Sequence, residues 1–295
     1  MMLVTHVEQK SPDLEATFGV PVTVIDYKSP SSIKSALEAH NVETVICTIN
    51  SQVDLEPELN LILAADSSQT TRRFIPSIFA GFPYPVRYPD STPVAKAKSE
   101  VLKAVKKTSL EYTAFYNGIF LDYYGAPGLK SNVSPWPLFV DILNERAAIP
   151  GSGDIPVVFT HSSDIAKFVV ASLDLTKWRE ESFILGEKLT WHEFIGLAKA
   201  AKGSKFNVVH DSEADLNAGN ITILPSYPKM FQLPEAEIQT ILAPAGIWFV
   251  NRELDLNPTY TLNSEFPDIT LVSVKEFLNL SWARSAAATS PGIKI

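Results

Sequence analysis

The stretch Glu43-Thr44-Val45-Ile46-Cys47-Thr48-Ile49 is a nearly continuous apolar, β-branched run, and its neighbours decide the fold. Such a run suits a strand buried on both faces, as in a parallel sheet covered by helices. Helical spacing follows over Glu56 to Ala65, then a short strand, Arg73-Phe74-Ile75-Pro76, closed by its proline. Working back, Ser31 to Ala39 reads as a helix, with Val20 to Asp26 and Met2 to Val7 as strands. Working forward, Pro93 to Lys106 reads as a helix and Glu111-Tyr112-Thr113-Ala114-Phe115-Tyr116 as a strand. The alternation predicts an α/β fold, a doubly wound parallel sheet of Rossmann type.

Beyond residue 125 the pattern loosens, with Pro and Gly punctuation at 125–128 and 150–154. A helix is expected over Ser163 to Ala171 with Ser or Asp as its cap. Another opens at Thr190-Trp191-His192-Glu193, a Thr-x-x-Glu capping box, and a last one runs from Ser273 to Arg284. This gives a Rossmann-type layer over 1–125, a smaller substrate lobe interwoven with it over 126–285, and a flexible tail over 286–295. The aromatics Tyr227, Phe231, Trp248, Phe249 and Tyr260 fall in the lobe, where they serve either core packing or an apolar pocket.

Composition narrows the function. The 295 residues carry a net charge of −8 with scattered Lys and Arg, which argues against a nucleic-acid partner. No apolar run approaches the roughly 20 residues of a membrane span, and no signal-peptide pattern opens the chain. One cysteine, Cys47, rules out an intrachain disulfide, and a cytoplasmic location is expected. The five histidines lack metal-ligand spacing, so no metal is expected.

A dinucleotide fold holds its pyrophosphate at a glycine-rich turn opening the first helix. Before Gly81 the sole glycine is Gly19, which precedes a strand instead of following one. The expectation is therefore a Rossmann sheet lacking its first strand and helix. Either the natural chain begins upstream or another element fills the gap.

Four stretches carry a family resemblance: Arg73 to Gly81, Lys98 to Val105, Tyr112 to Tyr123, and Phe159 to Ala166. In order and spacing they resemble the NmrA-like and isoflavone-reductase-like branch of the atypical short-chain dehydrogenases. The resemblance implies NADP and reduction of small aromatic or polyketide-like secondary metabolites. It makes Lys98 the active-site lysine, lines the cofactor cleft with Thr48, Ile49, Phe74 and Pro76, and sets Asn117 and Gly118 by the nicotinamide. The Arg that usually holds the 2′-phosphate appears as His6, and the Glu that usually follows the Ser of the Arg73–Gly81 stretch in the family appears as Ile78.

A desolvated lysine at a sheet's carboxyl edge can act as acid, base or electrostatic anchor. On residue pattern alone, Lys96, Lys98, Lys103, Lys106 and Lys107 equally read as a solvated helix face. Tyr123 and Tyr124 follow a buried strand into a loop, and His161 enters beside a helix start. Three readings follow: an NADPH-dependent oxidoreductase, a cofactor-independent isomerase or cyclase using Lys98, Tyr123 and His161, and a non-catalytic dinucleotide-sensing regulator. The expected partner is a small hydrophobic or aromatic substrate, with the chain a monomer or homodimer.

Overall fold

The computed structural model describes residues 3–6 (backbone only), 15–16, 19–50, 54–131 and 133–283. The side chain of His6 and the tail expected over 286–295 lie outside the described residues. The chain forms two compact units: Met1–Phe79, Pro83–Phe115 and Leu175–Ser182 make the first, and Ala80–Phe82, Tyr116–Asp174 and Phe183–Ile295 the second.

The first unit is α/β of Rossmann type. β1 (Leu3–His6) pairs in parallel with β2 (Val22–Ile25), Leu3 opposite Val22. α1 (Pro30–Ala39) leads to β3 (Thr44–Ile46), and α2 (Glu56–Ser67) leads to β4 (Arg73–Ile75). β3 pairs in parallel with β4, Val45 opposite Phe74. After β5 (Phe79–Ala80), α3 (Pro93–Val105) leads to β6 (Glu111–Tyr112), parallel to β4 on its other side. Among the described residues no strand is hydrogen-bonded to the second edge of β3, and Ile46 there is 42% exposed.

Two strands are shorter than the sequence predicts. The run from Glu43 to Ile49 is a ladder only to Ile46; Cys47 N–H still reaches the Ile75 carbonyl, and Pro76 beyond it has no N–H to continue. The run from Glu111 to Tyr116 breaks at Thr113 into β6 and β7 (Ala114–Tyr116). The partners change there: Tyr112 lies opposite Phe74, whereas Ala114 N–H donates to Glu180 and Phe115 N–H to Ile78.

In the second unit β8 (Ile119–Phe120) is followed by the 3-10 turn Leu121–Tyr124, then β9 (Val140–Asp141), β10 (Arg146–Pro150) and β11 (Val157–Thr160). β11 lies parallel to β8, Phe159 opposite Ile119. α4 (Ser162–Ser172), β12 (Glu181–Phe183), β13 (Glu187–Leu189), α5 (Trp191–Lys202) and β14 (Asn207–Asp211) follow. The core of this unit is aromatic: Phe194 packs 4.6 Å from Tyr124 and 4.8 Å from Phe159, and Phe249 packs 4.9 Å from Phe139.

The Thr190–Glu193 capping box is present, and a second one, Ser273–Glu276, opens α6 (Val274–Trp282). The cap of α4 differs from the expectation of Ser or Asp. His161 is the cap, its ring accepting from Ser163 N–H, while Asp164 turns to Lys167 and to the Val272 N–H. No helix among the described residues is long and apolar enough to cross a membrane.

Candidate active site

Chemistry-bearing side chains gather in each unit. In the first, they sit just past the carboxyl ends of the parallel strands, where open α/β sheets bind ligands. Tyr27 follows β2, Cys47 follows β3, and Ser77 follows β4. Lys98 reaches Ser77 from α3 because it lies on that helix's buried stripe with Ala95, Val101, Leu102 and Val105. Lys98 is 7% exposed, and its Nζ donates to the Ser77 carbonyl. Lys96, by contrast, faces solvent.

Ser77 is a hub. Its N–H donates to Glu58 Oε1 at 2.7 Å, and its hydroxyl donates to the Ile49 carbonyl at 2.7 Å. Glu58 has no exposed surface. It belongs to the buried stripe of α2 with Leu61, Ile62 and Ala65. Burial lowers the Lys98 amine below the ordinary lysine value, and the charge of Glu58 opposes that shift. The Cys47 thiol is pushed up to about 12, first by burial and then by the Glu58 carboxylate. A thiol held there is protonated at neutral pH and is no nucleophile.

In the second unit the hub is Asp122, 2% exposed in the turn after β8. Its Oδ2 accepts from Ser162 N–H at 2.8 Å, and its Oδ1 from the hydroxyls of Ser162 at 2.6 Å and Ser131 at 3.1 Å. His161 Nε2 lies 3.6 Å from Asp122 Oδ1, with the ring against Phe277. Because Nδ1 accepts from Ser163 N–H, the neutral ring carries its proton on Nε2, the atom facing Asp122. Tyr123 packs 5.2 Å from Trp136, and burial together with the Asp122 charge pushes its phenol up to about 12. At neutral pH that phenol is a donor and not a base.

Asn117 is fully buried; its Nδ2 donates to the Gly118 carbonyl, and its Oδ1 has no partner among the described residues. Gly118 has φ +68°, and a Cβ there would stand 2.2 Å from the Val158 carbonyl oxygen. The β11 backbone therefore requires this glycine, whatever else it adjoins.

The remaining expected cleft residues divide. Thr48 is exposed and Ile49 half-buried at the carboxyl end of β3. Phe74 has no exposed surface and Pro76 is buried, both at the carboxyl end of β4. Tyr124 is likewise core, its hydroxyl donating to the Leu138 carbonyl at 2.9 Å. Sequence reasoning missed Glu58, Ser77 and the hub role of Asp122. The signal for Glu58 was available: it is the one carboxylate on an otherwise apolar helical stripe. Among the described residues no cluster of three or more His, Cys, Asp or Glu is arranged to hold a metal.

The model of the NmrA-like family matches residues 2–233. The chain belongs to the NmrA-like family. A relative of this NmrA-like protein, Oxidoreductase BOA1 of Botryotinia fuckeliana, is 38% identical over 207 residues, covering 70% of this chain and 69% of its own. Oxidoreductase swnN of Metarhizium robertsii is 28% identical over 308 residues, covering 91% and 89%. Among solved structures, the binary complex of leucoanthocyanidin reductase with NADPH from Vitis vinifera superposes with a TM-score of 0.70 at 17% identity, covering 95% of this chain and 89% of that one. At that identity the likeness is one of fold.

Proposed function

We propose that this NmrA-like protein is an NADPH-dependent oxidoreductase acting on a small aromatic or polyketide-like metabolite, with Lys98 as its catalytic residue. The observation that carries the reading is the buried Lys98 amine at the carboxyl end of β4, held by the Ser77 carbonyl. An ammonium needs no desolvation merely to cover a helix face, and a partly desolvated one stabilises developing negative charge far better than one in water. The relatives' names favour redox chemistry over the cofactor-free isomerase or cyclase.

The residues fit a nicotinamide at one point. Asn117 Oδ1 is a buried acceptor without a partner among the described residues, and it suits the N–H donors of a carboxamide. The described residues offer no glycine-rich turn for a diphosphate, so Asn117 is the group named for holding the cofactor. NADPH, when bound, supplies a hydride. Lys98 steadies the negative charge that develops on the substrate oxygen and returns a proton to it.

Lys98→Ala should lower turnover, measured as NADPH oxidation across a panel of small aromatic and polyketide-like ketones, by about 10²- to 10⁴-fold. Turnover equal to the unmutated protein's would remove Lys98 from the mechanism.

A further inference from the structure

The unmutated Lys98 has a partner that the proposed chemistry does not use. Glu58 carries a full carboxylate on the apolar stripe of α2, without any exposed surface. Burying a carboxylate is costly unless something opposite requires its charge. Its hydrogen bond from Ser77 N–H does not require that charge, because a neutral glutamine oxygen would accept from it equally well. Lys98 binds the other main-chain group of the same residue, the Ser77 carbonyl. The two side chains thus grip one residue from its two polar ends, and the Glu58 charge acts on the Lys98 amine.

We propose that Glu58 is a positioning residue for Lys98, its charge holding the buried amine against Ser77 at the carboxyl end of β4. The inference rests on the role given above to Lys98. The groups that face this amine are Glu58 from α2 and Cys47 from the end of β3, with Tyr27 facing Cys47 in turn. Cys47 and Tyr27 are each raised to about 12, which leaves Glu58 as the one charged partner of Lys98 among these groups at neutral pH. On α3 itself Lys96 and Glu100 point to solvent, and Glu100 pairs with Lys103.

The test is the titration of Lys98, read from its 13Cε resonance in lysine-labelled protein and assigned by its loss in Lys98→Arg. Glu58→Gln keeps an acceptor for Ser77 N–H and removes the charge. It should move the Lys98 midpoint down by about one pH unit, and Glu58→Asp should move it less. A packing role would lower the melting temperature and leave the midpoint in place, and that result overturns the proposal. If neither variant folds, the unmutated protein decides. There a crystal structure should place a Glu58 carboxylate oxygen within about 4 Å of Lys98 Nζ, and a clearly larger separation overturns the proposal. The two claims separate cleanly. An unmoved midpoint with an inactive Lys98→Ala removes only Glu58. A moved midpoint with a fully active Lys98→Ala leaves the coupling and removes the catalytic reading.

Discussion

At Gly118 a single hydrogen atom decides whether β11 can lie beside β8. The backbone has φ +68°, a region that costs an L side chain roughly 1–2 kcal/mol by itself. A Cβ would also stand 2.2 Å from Val158 O, a backbone atom that cannot swing aside. Gly118→Ala should therefore destabilise the fold by about 3 kcal/mol or more, seen as a large fall in melting temperature. A melting temperature within a degree or so of the parent's would show that the strands separate without cost. Lys98 shows the same dependence on position. Its neighbour Lys96 has the same chemistry, yet one faces solvent and the other lies on a buried stripe. The spacing Ala95, Lys98, Val101, Leu102, Val105 was readable in the sequence, whereas the carbonyl waiting for the amine was not. Ser77 lies 21 residues away from Lys98 in the chain, and only the β4–α3 arrangement brings them together.

Element ends were legible where the signal was local. Thr190–Glu193 and Ser273–Glu276 close reciprocal caps within three residues, and both helices begin where those patterns stand. The start of α4 was harder to read, because its N-terminal groups are satisfied by residues far apart. His161 takes Ser163 N–H, and Asp122, 40 residues earlier, takes Ser162 N–H. Asp122 also holds Ser131, so one carboxylate fastens the helix start and the loop after the 3-10 turn. Asp122→Asn exchanges one acceptor oxygen for a donor and should cost about 1–3 kcal/mol. A lowered urea midpoint at unchanged slope would bear this out, whereas an unchanged midpoint would mean that the network is dispensable. The break at Thr113 was equally hidden. Nothing in Glu111 to Tyr116 marks a change of partner, since the new partner, Glu180, lies in a distant segment.

At the scale of the molecule, the α/β class followed from the order of strands and helices, and the family followed from four stretches in correct succession. The return of Leu175–Ser182 to the first unit did not follow, because it depends on tertiary contacts. Arg73 donates to the carbonyls of Leu175 and Thr176 and stacks over Trp178, while Glu111 accepts from Trp178 N–H. In the reading we propose, this NmrA-like protein binds a nicotinamide dinucleotide for reductive chemistry. A fluorescence titration of the purified, folded protein with NADPH tests it most directly. Saturable binding in the micromolar range is the predicted result. A folded, monodisperse sample that shows no binding would contradict the claim.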